Sequence, residues 1–382
     1  MAHAFAAVAL AGIWSPFALR AMQRRRIVEG TPLRVAFAVA TAATAALFTW
    51  IFWSTPRPLQ SDLAPVWAGA GALVHGQDPY ASVGPGRAFD TTFPLMYPMT
   101  AVLTMTPLAI ASMHWADIFF VAIGFGLFAW AMTRGERLSP ALVALVSLPA
   151  LMALQTAQWS LLLTGAALLP AAGFLLVAKP TIGLALFAAF PRWRTALGYA
   201  LLLAASFLIS PGWVSERRAG FVTVPHIVAP ITRWGGPLLL LALAKWKRAD
   251  ARLLLALVCV PQTTALYETI PLFLLAETWP QAWALWALAI VAYIGQWATG
   301  PYPSISAHWS AGQQWIVAVM YLPCLAVVLA RRNEWTYDLG LFRRADDRRG
   351  VDAEFLVVRE LDRSAAAQHR EQADARAERV LG

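Results

Sequence analysis

Charged residues are scarce in this 382-residue chain, where Asp, Glu, Lys and Arg together make up 13% of the sequence. That is about half the roughly 25% found in soluble globular proteins. Hydrophobic residues reach 59%, and runs close to the roughly 20 apolar residues that cross a bilayer recur up to about Ala330. The scarcity of charge excludes a soluble domain and predicts an all-α polytopic membrane protein.

Cysteine and the common catalytic motifs are also missing or rare. The two cysteines, Cys259 and Cys324, lie inside apolar runs, so neither a disulfide framework nor a CxxC metal site is expected. The sequence has no Walker A loop, no GxGxxG after a strand, no HExxH and no GxSxG. These absences exclude ATP-driven transport within this chain and the common hydrolase classes, and no cofactor is expected.

Acidic residues are too few to balance the basic ones, which leaves a net charge of +9. The excess lies entirely before Ala330, because the segment after it holds 11 basic and 11 acidic residues. Basic loops between membrane segments are expected from the positive-inside rule, so no nucleic-acid partner is implied. The 18 tryptophans, such as Trp50 and Trp53, cluster near run ends, where indole favours the headgroup interface.

The basic clusters predict how the chain threads through the membrane. An uncleaved first helix is expected at residues 3–19, followed by a cytoplasmic loop, so the run from about Val35 to Trp53 leads outward. Residues 54–95 then form a long first extracytoplasmic loop, and 211–236 form a second outer loop. Long ordered loops are often functional, so the first loop is where chemistry is expected.

Later runs predict interrupted membrane helices. Residues 97–110 fit a short re-entrant or interfacial helix, and the stretch 160–190 is too long for one crossing and is expected to break near Pro170 and Lys179-Pro180. In all, roughly 9 to 12 membrane segments are expected within residues 1–330. Residues 331–382 are expected to form a charged, helical cytoplasmic tail.

Asp62 is the strongest catalytic candidate. It directly follows the outward helix and has apolar neighbours, so partial desolvation should raise its pKa and suit it to act as a general base on a hydroxyl. The alternative is that Asp62 caps a helix over Leu63 to Val74.

Two further charges stand alone in apolar stretches. Lys179 either faces a cavity and meets an anion such as phosphate, or extends to the membrane interface. Glu268, next to Tyr267, needs a partner or a wet cavity and is an intramembrane functional candidate.

Several polar residues of the outer loops are weaker candidates. Asp78-Pro79-Tyr80 is typical of a turn. Outer-face cations run against the usual charge bias and either bind a lipid phosphate or contact solvent and headgroups; they are Arg87, Arg217, Arg218 and Arg233.

Motifs in order along the chain resemble glycosyltransferase family 87, whose members have the GT-C fold and are similar to the polyprenol-phosphate-mannose-dependent mannosyltransferases of actinobacteria. The resemblance covers about residues 35 to 290. Its first part is carried by Ser61-Asp62, Gly76-Gln77-Asp78-Pro79-Tyr80, Tyr97-Pro98 and Thr106-Pro107-Leu108-Ala109, and its central part by Gln158, Lys179-Pro180 and Arg192-Trp193-Arg194.

The resemblance implies a GT-C-like bundle in the cytoplasmic membrane. The protein would move a hexose, with mannose expected, from a polyprenyl-phosphate donor to a lipid or glycan acceptor at the outer face. The transfer would invert the configuration at the anomeric carbon. Asp62 would be the base, Glu268 a second catalytic residue, and no metal is implied. Groups expected to bind substrate or phosphate are Lys179, Arg87, Arg217, Arg218, Tyr80, Asp78, Tyr97, Gln158 and Tyr267. A multi-pass transporter and a noncatalytic membrane scaffold remain the alternatives.

Overall fold

The computed structural model of the protein describes residues 31–54, 60–135, 138–221, 228–262 and 265–336. Within these ranges the chain is helical and forms no β-strand beyond two isolated bridges. The helix expected at residues 3–19 and the tail from residue 337 onward lie outside the described residues.

Three helices are long and apolar enough to cross a bilayer: Thr31–Trp53, Met113–Thr133 and Ala307–Ala330. The first matches the outward helix that the sequence predicts. The third combines the α-helices Ile305–Ile316 and Leu322–Ala330 through a π-helical turn at Val317–Tyr321. The described residues therefore form a helical membrane protein, in agreement with the composition.

The other apolar runs are shorter because they are interrupted. As expected, the stretch 160–190 divides, giving the α-helices Ser160–Leu168 and Pro180–Ala189 with the 3₁₀ helix Gly173–Ala178 between them. The apolar residues after Ser139 also divide, into the 3₁₀ helix Pro140–Val146 and the α-helix Leu148–Thr156. Three of these five pieces have a proline at their first or second position; proline cannot donate a backbone hydrogen bond to a preceding turn, so a new helix starts there.

The remaining helices complete the described architecture. The α-helices are Ala64–Val74, Pro79–Ser82, Met99–Met105, Trp193–Ile209, Trp213–Phe221, Ala249–Cys259 and Trp279–Ala298, and the 3₁₀ helices are Thr106–Leu108, Pro230–Thr232, Gly236–Lys245 and Leu266–Leu275.

The first loop is folded against the helices. Most residues of its helix Ala64–Val74 are buried, and this helix packs on Met99–Met105. Asp62, at the start of this buried segment, is therefore held by tertiary structure and does not lie on a free loop.

The 3₁₀ helix Leu266–Leu275 lies in the interior, and all ten of its residues are buried. It packs on Leu148–Thr156, Ser160–Leu168 and Pro140–Val146. Runs of 3₁₀ helix this long are uncommon and often mark a functional segment. Here the first turn carries Tyr267 and Glu268.

A charged cluster fixes the other end of this 3₁₀ helix. Arg331 donates from Nη2 to the Leu275 carbonyl at 2.6 Å and forms an ion pair with the fully buried Asp250. Arg248 also pairs with Asp250, at 3.0 Å, and reaches Glu277 at 3.0 Å. We call Arg248, Asp250, Glu277 and Arg331 the charged clasp.

Glycines set how closely the long helices approach. A Cβ on Gly165 would come within 2.8 Å of the Phe128 backbone nitrogen, because Ser160–Leu168 lies directly against Met113–Thr133. Small residues permit such close backbone approach between membrane helices.

We therefore expect Gly165→Ala to destabilise the protein by about 1–3 kcal/mol, since the two backbones would have to separate. Gly71→Ala is the matched control, because a Cβ there meets nothing within 4 Å. Thermal unfolding in detergent should show a lower midpoint for Gly165→Ala only, and equal midpoints for the two variants would contradict the close packing.

Candidate active site

The Asp62 carboxylate is bound by side chains and caps no helix. The helix Ala64–Val74 has Leu63 at its N-cap and no side-chain cap hydrogen bond, so the capping alternative is wrong. Instead, Asp62 Oδ2 accepts hydrogen bonds from the amide nitrogen of Gln158 and, at 3.5 Å, from the Tyr267 hydroxyl. The Asp62 backbone nitrogen also donates to the Thr156 carbonyl at 3.1 Å, which fixes the carboxylate to the same turn as Gln158.

Gln158 connects Asp62 to Lys179. Its Nε2 faces Asp62, and its Oε1 accepts from Lys179 Nζ at 3.1 Å. The preceding residue, Ala157, has a left-handed backbone with φ of 51° and ends the helix Leu148–Thr156. An alanine rarely adopts this conformation, and such strain is often found at functional sites. The left-handed backbone at Ala157 turns the chain so that the nearly buried Gln158 side chain reaches both Asp62 and Lys179.

Lys179 forms an ion pair with Glu268, with 2.7 Å between Nζ and Oε1. The two side chains are only 12% and 2% exposed, so Lys179 meets an anion within the protein, which is one of the two alternatives. Pro180 disfavours a helical conformation at the residue before it, and Lys179 accordingly sits at the break before Pro180–Ala189. Its Nζ also lies 5.5 Å from the centre of the Tyr267 ring.

These five side chains, which we call the polar cluster, are Asp62, Gln158, Lys179, Tyr267 and Glu268. They come from four separate segments, and all five are candidates that the sequence analysis proposed. Asp62 and Lys179 are the less buried members, whereas Gln158, Tyr267 and Glu268 are at most 5% exposed. Three buried side chains therefore hold a carboxylate and a cation that are less enclosed.

Burial raises the pKa of Asp62 to about 6, and the nearby Lys179 charge and the hydrogen bond from Gln158 oppose that rise. A carboxylate with this pKa is mostly ionised at neutral pH and is a stronger base than an exposed aspartate. The cluster is thus suited to accept a proton at Asp62.

Tyr97, Tyr80 and Arg217 lie beside the cluster. The Tyr97 ring lies 6.2 Å from the ring of Trp159, the neighbour of Gln158. Tyr80 donates from its hydroxyl to the Tyr97 carbonyl at 2.8 Å, and Arg217 Nε donates to the Met96 carbonyl at 2.8 Å. Tyr80 and Arg217 therefore hold the segment next to the cluster.

Three other candidates either bind residues of their own loop or are exposed. Asp78 caps the short helix Pro79–Ser82 by accepting from the Tyr80 backbone nitrogen at 2.9 Å, as the turn interpretation predicts. Arg87 donates to the Tyr80 carbonyl, and Arg218 is exposed on the helix Trp213–Phe221. None of these three contacts a member of the polar cluster through a hydrogen bond described here.

Asp117 was not predicted from the sequence. This carboxylate is 3% exposed within the span Met113–Thr133 and accepts from the Ser61 hydroxyl at 2.8 Å. It therefore fixes the residue directly before Asp62. A lone acid in an apolar run was the signal available, since such residues are usually functional or paired.

No group of three His, Cys, Asp or Glu residues that could hold a metal ion occurs in the described part of the chain. Comparisons with protein-family models, curated proteins and solved structures give no match to this chain.

The Lys179–Glu268 pair gives a stability test. Removing one partner of a buried ion pair leaves an uncompensated charge and typically costs about 3–5 kcal/mol. We expect Lys179→Met to lower the unfolding temperature strongly and the double variant Lys179→Met/Glu268→Gln to recover much of the loss. If the decreases in stability of the single variants, measured in detergent, simply add up in the double variant, the two side chains do not interact.

Proposed function

We propose that the protein is a membrane glycosyltransferase that moves a hexose, with mannose expected, from a polyprenyl-phosphate donor to an acceptor hydroxyl. The polar cluster is the observation that carries this proposal. A partly exposed carboxylate with a raised pKa lies one amide away from a buried lysine, which matches the base and the phosphate-binding cation that such a transfer needs.

In the proposed reaction, Asp62 takes the proton of the acceptor hydroxyl as its oxygen attacks the anomeric carbon of the donor. The bond from that carbon to the phosphate oxygen breaks on the opposite face, so the configuration inverts. The electron pair leaves with polyprenyl phosphate, and the proton stays on Asp62 until solvent removes it. No metal takes part in this scheme.

Each enclosed residue has a role in this scheme. Gln158 orients the Asp62 carboxylate through its amide nitrogen and Lys179 through its amide oxygen. Lys179 supplies positive charge to the leaving phosphate, which is most valuable in a site of low dielectric constant. Glu268 is a positioning residue, because it pairs with Lys179 and its side chain is too buried to meet an acceptor.

The distribution of charge supports an outward-facing site. The two arginines of the charged clasp, with Lys245 bound to the Arg331 carbonyl, lie near the carboxyl end of Leu266–Leu275, and the polar cluster lies at the amino end. The positive-inside rule assigns the basic end to the cytoplasm. We therefore propose a GT-C-like bundle of roughly 9 to 12 segments in the cytoplasmic membrane, with the loops 54–95 and 211–236 outside and the tail 331–382 in the cytoplasm.

The central test is transfer of radiolabelled mannose from polyprenyl-phosphate-mannose by membranes that contain the full chain. We expect Asp62→Asn to reduce transfer by about 10²–10⁴-fold, the usual contribution of a general base. Asp90→Asn is the control, because this exposed carboxylate of the same loop binds the local Gly86 backbone nitrogen.

Equal transfer by wild type and Asp62→Asn at matched expression would reject the mechanism. If no polyprenyl-phosphate sugar supports transfer, but proteoliposomes take up a substrate without donor lipid, the protein is a transporter. Full cellular function of Asp62→Ala would favour a scaffold.

The raised pKa of Asp62 predicts the pH profile. A carboxylate with a pKa of about 6 is protonated and inactive as a base below that pH, so kcat/KM should rise with pH, fall about tenfold per unit below 6, and level off above. Because the Lys179 charge lowers this pKa, the residual activity of Lys179→Met should have its inflection at higher pH. A profile that is flat between pH 5 and 8 would show that Asp62 is not the titrating base.

A further inference from the structure

A row of aromatic rings leads away from the polar cluster. The Tyr267 ring, whose hydroxyl reaches Asp62, lies 6.5 Å from the ring of Trp309. Trp309 lies 5.8 Å from His308, and His308 lies 4.5 Å from Trp297 and 5.0 Å from Tyr302. We call these five rings the aromatic row.

Exposure increases along the aromatic row. Tyr267 is 5% exposed, Trp309, His308 and Tyr302 are half-buried, and Trp297 is 51% exposed. The row therefore connects the protein surface with the buried surroundings of Asp62. It lies where the helices Trp279–Ala298 and Ile305–Ile316 meet, at their shared loop.

Polar groups lie beside these rings. Gln296 Nε2 lies 2.9 Å from His308 Nε2, and because an amide nitrogen only donates, this ring nitrogen accepts. The proton of the neutral imidazole is then on Nδ1, which is a donor. Four residues after Trp309, and so on the same side of the helix, Gln313 accepts from Arg233 Nε at 2.6 Å.

The combination of aromatic rings with polar groups favours one kind of ligand over another. A polyprenyl chain is apolar along its length and would offer no acceptor to the His308 Nδ1 donor, whereas Gln296 and Arg233 already bind His308 and Gln313. A sugar ring has apolar C–H faces that stack on aromatic rings and hydroxyls at its edge that bind such donors and acceptors. Binding sites of this kind combine aromatic walls with a few placed polar groups.

We propose that Trp309 is the stacking platform for a sugar ring of the acceptor, which makes the acceptor a glycan or a glycolipid with its sugar in this site. This inference rests on the proposed function for its orientation, because a sugar stacked on Trp309 lies one ring away from Tyr267 and the Asp62 base. Trp297, at the exposed end, belongs to the membrane-interface belt.

Direct binding tests the platform without requiring transfer. The probes are an α-linked mannose disaccharide with a short alkyl group and, for the donor side, citronellyl phosphate, both added to the full chain in nanodiscs. We expect Trp309→Leu to weaken disaccharide binding at least tenfold and Trp309→Phe to weaken it about threefold or less. Citronellyl phosphate should bind equally to all variants.

Trp297→Leu is the matched control, because it removes an indole from the same aromatic row without touching Tyr267, and it should bind the disaccharide as wild type does. Unchanged disaccharide binding by Trp309→Leu, or no binding to wild type, would overturn the platform. An equal loss in Trp297→Leu would assign the effect to the membrane interface and overturn it as well.

A measurement on the wild type covers the case in which Trp309→Leu does not fold. A diazirine derivative of the disaccharide should label the peptide that contains Trp309, and labelling confined to other peptides would contradict the site. Different results would reject the proposed transferase function and the proposed Trp309 platform. Trp309-dependent sugar binding without any transfer rejects the transferase alone, whereas Asp62-dependent transfer with an unchanged acceptor KM in Trp309→Leu rejects the platform alone.

Discussion

The ion pair between Lys179 and Glu268 is the contact on which the polar cluster depends. A single charge in an apolar interior is costly, and the cost is offset only when an opposite charge and further hydrogen bonds lie close by. Glu268 supplies that charge at 2.7 Å, and Gln158 supplies the hydrogen bond at 3.1 Å. Because the same Gln158 amide also faces Asp62, the position of the proposed base follows from the position of a buried lysine.

Interruptions in the helices place these side chains. Lys179 precedes a helix that starts at Pro180, Gln158 follows a left-handed alanine, and Glu268 lies in the first turn of a buried 3₁₀ helix. A continuous helix would satisfy its own backbone groups but would direct its side chains along one regular face. The breaks thus turn three segments of the chain toward one point. At the far end of the 3₁₀ helix, the charged clasp holds the same segment.

Much of this arrangement could be predicted from single residues, but their convergence could not. Lys179 and Glu268 are recognisable because charge is rare in apolar runs, and the break near Pro180 follows from the missing proline donor. No local pattern states that Gln158 bridges Asp62 and Lys179, since those contacts span 96 and 21 residues. Asp117 was missed because its helix is otherwise regular, while Asp78 and Arg87 bind their own loop, as polar turn residues commonly do. The number of membrane segments is hard to predict because proline divides several apolar runs into pieces too short to count as spans.

The most direct measurement is a cryo-electron microscopy structure of the full chain in nanodiscs with a bound polyprenyl phosphate. We expect phosphate density within hydrogen-bonding distance of Lys179 Nζ, with Gln158 still between Lys179 and Asp62. Phosphate density found only among the lipid headgroups, with Lys179 and Glu268 paired as before, would contradict this expectation.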